Sequence, residues 1–196
     1  MKKTFLTLFF IILSTNLYAS NIKKVYFAGG CFWCMEESFD KVEGVIETIS
    51  GYSGGHVKNP KYKDVVKNTT GHYETLEITY DPSITNFEKL LEIFWVNIDP
   101  FDADGQFCDK GESYKSVVFY ENSDQKKIIE TSIKNIENKF NKKVVTYVKN
   151  FKEFYMAETY HQDYYEKNFI RYLMYKKGCQ REEVLNKIWG WKKYLF

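Results

Sequence analysis

The apolar residues of this chain switch repeatedly between a period of two and a period near 3.6, and the order of the switches restricts the folds open to it. A strand period covers residues 23–28, stops at Gly29-Gly30 and passes into a helix over 31–41. Alternation returns over 45–50, ends in Gly51-Tyr52-Ser53-Gly54-Gly55, and resumes over 72–80 until Asp81-Pro82 closes it. Phe87, Leu90, Leu91, Phe94, Trp95 and Ile98 then mark the clearest helix, with Thr85 and Glu88 placed as a capping box. A fourth strand is expected over 114–121 and a helix over 123–140, striped by Ile128, Ile129, Ile133, Ile136 and Phe140. A fifth strand is expected over 144–149, and a very aromatic helical stretch over 157–176. Strand, helix, strand, strand, helix, strand is the order of a split βαβ, ferredoxin-like sandwich. The predicted class is therefore α+β: two layers, a mostly antiparallel sheet, and extra C-terminal helices.

Two connections, 51–71 and 99–113, are long for so compact a domain, and loops of that length tend to carry function. The chain has 196 residues, no internal repeat and no linker, so a single domain over 20–196 is expected. The first 19 residues read as a signal peptide. Lys2 and Lys3 precede the apolar run Phe5 to Leu13, too short to span a membrane, and Ala19 supplies the small residue for cleavage. The reading implies export, to the periplasm of a bacterium, with no stable membrane association after cleavage. Without that segment, 26 basic residues balance 26 acidic ones, which leaves no electrostatic footprint for nucleic acid.

Four cysteines remain: Cys31, Cys34, Cys108 and Cys179. Two structural disulfides would be ordinary in an exported protein, but a core of this size does not need them, which favours chemistry. Cys31 follows two glycines at the start of a helix, where backbone amides favour a thiolate. Cys34 lies one turn along the same face, the spacing of dithiol–disulfide exchange. A c-type haem needs His at position 35, which is Met; a structural zinc site wants a second close pair, which is absent. No metal and no bound cofactor are expected. Glu36 and Glu37 read as partners of the helix dipole.

Glu74 shares a strand face with Leu76, Ile78 and Tyr80. It is either at a sheet end near solvent, paired with a lysine, or buried and able to keep a proton at neutral pH. Tyr62 and Tyr114 are potential hydrogen-bond donors or packed rings, and His161 reads as a satisfied helix histidine.

The segments Gly30-Cys31-Phe32-Trp33, Gly51 to Gly55, Asn59-Pro60-Lys61-Tyr62, Thr70-Gly71-His72-Tyr73-Glu74 and Tyr80-Asp81-Pro82 resemble the A-type peptide methionine sulfoxide reductases. The resemblance continues through Phe94-Trp95-Val96-Asn97-Ile98-Asp99-Pro100, the run from Asp109 to Ser116, and His161-Gln162-Asp163-Tyr164. It implies that Cys31 attacks the sulfoxide sulfur and Glu74 protonates its oxygen, helped by Tyr62 and Tyr114, with Asp109 supporting the pocket. Phe32 and Trp33 would seat the substrate methyl group. The substrate would be methionine-S-sulfoxide, free or in proteins, and an external thioredoxin-like dithiol would supply the electrons.

The chain departs from the commonest family pattern, having Cys at 34 and 108 and no cysteine in its tail, Trp189 to Phe196. The thiol that resolves the sulfenic acid is expected to be Cys34, with Cys179 the other candidate and Cys108–Cys179 a possible second pair. Two other functions fit fewer residues: a general disulfide oxidoreductase resting on Cys31 and Cys34 alone, and a non-catalytic cleft that holds exposed methionines.

Overall fold

A computed structural model describes residues 21–190. The predicted signal segment and its cleavage point lie outside the described residues. The strands are β1 (Lys23–Ala28), β2 (Val45–Ser53), β3 (Tyr73–Tyr80), β4 (Gly105–Gln106), β5 (Asp109–Lys110), β6 (Val117–Tyr120), β7 (Tyr147–Asn150) and β8 (Phe154–Met156). The helices are α1 (Phe32–Phe39), α2 (Tyr62–Val65), α3 (Phe87–Val96), α4 (Ser123–Phe140), α5 (Tyr164–Lys167), α6 (Phe169–Gly178) and α7 (Arg181–Trp189).

One sheet runs β7-β6-β1-β3-β2-β8. Its four central strands, β6-β1-β3-β2, pair antiparallel in the order of a split βαβ unit; β7 alone is parallel to its neighbour, β6. The α+β class and the mostly antiparallel sheet are thus as expected. Val25 and Phe27 of β1 and Leu76, Ile78 and Tyr80 of β3 face the main core. There they meet Met35 and Phe39 of α1, the apolar stripe of α3, Ile129 and Ile136 of α4, and Leu185 and Trp189 of α7. The opposite face buries Tyr26, Ala28, Tyr73, Val117 and Phe119 under Phe151 and Phe154. Every residue of β3 is consequently buried.

Local details differ from the sequence expectations for identifiable reasons. The cap of α3 is Asn86, whose side chain accepts from the Lys89 amide at 2.8 Å. Thr85 is buried instead, its amide bonded to the Asp81 carbonyl. The fourth central strand is shorter than 114–121, because Glu112–Tyr114 coil into a 3₁₀ turn. The fifth starts late, at Tyr147, because the Val144 and Val145 amides bond Glu137 and the Pro100 carbonyl outside the ladder. The stretch 157–176 is not one helix. Thr159–His161 form a 3₁₀ turn, Asp163 turns the chain at φ 55°, and only then do α5 and α6 follow. Gln162 competes for the backbone here, donating to the Ser50 and Ala157 carbonyls and accepting from the Ser50 amide.

Both long connections have internal structure. The first holds α2, with Tyr62 as its first residue; the second folds into the β4–β5 hairpin, which carries Asp109 and leads to Tyr114.

Candidate active site

The turn between β1 and α1 requires backbone in contact with its surroundings. A Cβ on Gly29 would lie 2.4 Å from Met35 Sδ, and one on Gly30, whose φ is +78°, would lie 2.5 Å from Gln106 Cβ. Cys31 caps the helix without a side-chain cap bond. The Phe32 amide, the first of α1, donates to Glu74 Oε2 at 3.1 Å. Here the geometry corrects the expectation of a helix start that lowers the Cys31 thiol. The amide nearest it serves the acid, and burial pushes Cys31 up, reinforced by its hydrogen bond with Cys34 and by Glu74 and Asp109 nearby. Cys34 is brought down to about 7, first by that same hydrogen bond and then, against burial, by the charge of Arg181. The two thiols titrate as a pair, and their surroundings favour ionisation at Cys34 over Cys31.

Glu74 resolves its two sequence readings in favour of burial: it is 2 % exposed and has no lysine partner among the described residues. Desolvation raises it well above the ordinary carboxylate range, only partly offset by the Phe32 amide. Burial therefore favours its protonated form, the form with a proton to give. The Tyr114 hydroxyl donates to that of Tyr62, and both rings lie close enough to Glu74 that an ionised carboxylate there would raise them. Burial pushes Tyr62 up to about 12, so it too remains a donor. Asp109 accepts from the Tyr175 hydroxyl and is raised by burial.

Phe32 is enclosed by Tyr52, Tyr62 and His161, the last with its ring centroid at 5.0 Å. Trp33 stacks on Tyr164, centroids 3.8 Å apart. Its indole N–H donates to His161 Nδ1 at 3.2 Å. His161 therefore differs from the sequence reading. It sits in a 3₁₀ turn, is held neutral by burial at about 4, and its Nε2 has no partner among the described residues.

The arrangement is a buried dithiol beside a protonated acid, two phenols and an aromatic seat. A family model described as peptide methionine sulfoxide reductase matches residues 23–193. The chain belongs to that family. It is 48% identical over 168 residues to the peptide methionine sulfoxide reductase MsrA of Bacillus licheniformis, covering 85% of this chain and 93% of that one. It is 47% identical over 165 residues to MsrA 2 of Staphylococcus aureus, covering 83% and 93%. Among solved structures, reduced Mxr1 from Saccharomyces cerevisiae superposes with a TM-score of 0.70 at 29% identity, covering 75% of this chain and 86% of that one. The same yeast protein has been solved in complex with Trx2, a structure with which this chain shares the fold at a TM-score of 0.50 and 20% identity.

The chain is thus a methionine sulfoxide reductase, and its other cysteines divide unequally. Cys108 and Cys179 form a disulfide between the β4–β5 hairpin and the end of α6, while Cys31 and Cys34 are free and buried. Cys179 is therefore tied away from the dithiol. Glu37 is a surface partner of Lys176, Lys41 and Tyr172, but Glu36 is not the exposed dipole partner expected. It is fully buried, with neither oxygen hydrogen-bonded, and desolvation pushes it up to about 7.

Sequence reasoning missed three neighbours of the reductase site: Tyr172 and Tyr175, packed on the two thiols, and Arg181. The aromatic density of 164–175 was the only signal for the two tyrosines, and Arg181 had none. A groove of about 560 Å³ along the outer edge of β2, lined by Asp40, Glu47, Gln162 and Glu166 among others, contains none of the candidate residues.

Proposed function

We propose that Cys31 is the nucleophile and Glu74 the acid. The observation that carries this is the Phe32 amide, which clamps a neutral Glu74 against the turn bearing Cys31. As Cys31 sulfur attacks the sulfoxide sulfur, its proton passes to the Cys34 thiolate and the Glu74 proton goes to the sulfoxide oxygen. The S–O bond of the substrate breaks, methionine leaves, and Cys31 is oxidised to a sulfenic acid. Cys34 then attacks that sulfur: the S–S bond forms, and the hydroxyl departs with the Cys34 proton as water. Glu74 recovers its proton from solvent.

Tyr62 and Tyr114 donate toward the sulfoxide oxygen, Asp109 supports the wall they form, and Phe32 and Trp33 seat the S-methyl group. Cys34 is the resolving thiol. The alternative, Cys179, is less well placed because its sulfur is bonded to Cys108. The substrate is the S epimer of methionine sulfoxide, free or within proteins. A thioredoxin-like dithiol closes the cycle, a reading supported by the Trx2 complex of the yeast relative. Lys2, Lys3 and the apolar run up to Ala19 favour export to a periplasm, where the reductase would repair oxidised exported proteins without staying on the membrane.

The test is methionine release from methionine-S-sulfoxide with dithiothreitol, comparing wild type with Cys31→Ser and Glu74→Gln. Both variants should fall to background or near it. Full release by Cys31→Ser would assign the nucleophile elsewhere.

A further inference from the structure

The outer edge of β2 is open over part of its length. β8 pairs only with Gly51, Tyr52 and Ser53, so no strand covers residues 45–49 among the described residues. The Ser50 backbone turns away from β3: its amide donates to Gln162 Oε1 at 2.9 Å, and its carbonyl accepts from the Ala157 amide at 2.9 Å. Backbone direction alternates along an antiparallel strand, so Thr48, two residues earlier, offers its amide and carbonyl to the same side. The groove of about 560 Å³ runs along this free edge.

Asp40, Glu47, Asp163 and Glu166 line the groove, and among the described residues no lysine or arginine does. Lys167 matches Asp163 at 2.8 Å from outside it, while the other three carboxylates have no ion pair among the described residues. The Tyr165 hydroxyl lies 2.8 Å from an Asp40 oxygen and 3.2 Å from a Glu166 oxygen, and its single proton serves only one of them. Residues 20–196 balance in charge, so this excess is local. Ile46 and Met156, 54 % and 62 % exposed, add apolar surface to the same groove. A nucleic acid or an anionic lipid would be repelled here. A second copy pairing edge to edge would set these carboxylates against their own kind.

We propose that this groove docks an extended polypeptide segment bearing lysine or arginine. The segment adds a strand at Thr48, its cations meet Asp40, Glu47 and Glu166, and its apolar side chains cover Ile46 and Met156. The groove adjoins the reductase site. Asp163 precedes Tyr164, which stacks on Trp33, and Asp40 caps the far end of the helix that Cys31 begins, about 13 Å along its axis. An extended chain covers that distance in about four residues. The occupant is therefore the stretch flanking an oxidised methionine in an unfolded protein. That assignment rests on the reductase reading; the docking itself does not.

The experiment measures fluorescence anisotropy with the full chain as Cys31→Ser, which binds without turnover. The probes are short labelled peptides with one methionine sulfoxide and alternate lysines beginning about four residues to either side of it. Binding should weaken roughly threefold for each lysine replaced by glutamine, and the difference should shrink as salt is raised. N-methylation of alternate amides in the lysine stretch should weaken it about fivefold. With Glu47→Lys and Glu166→Lys combined, the preference for lysine should vanish. In the same double variant with Cys31 restored, kcat/KM for the lysine peptide should fall to that of the glutamine peptide, while free methionine-S-sulfoxide is reduced as before. Equal binding of lysine and glutamine peptides, an N-methylated peptide bound as tightly as its parent, or a preference that survives the double substitution overturns the proposal. So does a wild-type dimer, seen by sedimentation, that Glu47→Lys dissociates. Release of no methionine from any substrate by the wild type would sink the reductase reading instead, and anisotropy would still report on the groove.

Discussion

The Phe32 amide and the Glu74 carboxyl are bonded at 3.1 Å, which turns the first free N–H of α1 from a stabiliser of the thiol into a clamp on the acid. The clamp holds one carboxyl oxygen, Oε2, and leaves Oε1 to carry the proton. Glu74→Gln keeps the clamp and removes the proton. Methionine formation should then drop by about 10²–10⁴-fold with no loss of thermal stability, as measured by single-turnover release. A drop of less than tenfold would mean that the proton comes from elsewhere.

With Glu74 as the proposed acid, the same carboxyl should set the alkaline limit of the reaction. Its value is raised by burial, so the active, protonated form persists through neutral pH and is lost as pH rises through that raised value. The rate of methionine release should therefore fall on the alkaline side with one ionisation, and this fall should vanish in Glu74→Gln. A limb that persists unchanged in the variant would belong to another group.

Cys34→Ser should release one methionine per enzyme and then stop. The sulfenic acid on Cys31 should be trappable by dimedone and visible by mass, and thioredoxin-driven turnover should disappear. Sustained turnover would move the resolving role to Cys179.

Glu36 ties stability to pH. Its folded value of about 7 exceeds the unfolded one, so the native state binds more protons than the unfolded chain between the ordinary carboxylate range and neutrality. Stability contributed by the neutral carboxyl is present in acid and lost as pH rises through that window. Glu36→Gln should be more stable than wild type at pH 8 by on the order of 2 kcal/mol, and alike at acidic pH, in urea titrations. Equal midpoints at pH 8 would show that the carboxylate is accommodated at no cost.

The Cys108–Cys179 bond closes a loop across a sequence separation of 71 residues. Cys108→Ser should lower the unfolding free energy by about 2–4 kcal/mol under oxidising conditions and by nothing under reducing ones. Denaturation with and without dithiothreitol distinguishes the two.

Most of the scaffold was legible because it depends on local periodicity. The alternation along β1 and β3 and the stripe of α3 are spelled in consecutive residues, and Cys31, Cys34 and Glu74 were singled out as candidates by their positions, their roles being implied by the family resemblance. What escaped was set by contacts between distant parts of the chain. Whether Glu74 faced solvent or core depended on α1 packing over β3. The helix amide was claimed by a carboxyl 42 residues away, a pairing with no mark in the sequence around Cys31. Gln162 broke the expected C-terminal helix by bonding Ser50, 112 residues earlier. Arg181 looks like an ordinary surface residue of a charged helix until its N–H is seen on the Asn97 carbonyl.

The ladder between β1 and β3 has a consequence for how this chemistry tolerates change. Phe27 pairs with Leu76, so two residues further toward the turn, the Gly29 end of β1 comes level with Glu74. The sheet is therefore the ruler that spaces nucleophile from acid, and side chains near the site only trim the fit. A ruler of this kind is forgiving of substitution and intolerant of slippage. One residue gained or lost between Glu74 and Leu76 would turn the carboxyl to the far side of the sheet and leave the thiols facing an unreactive neighbour.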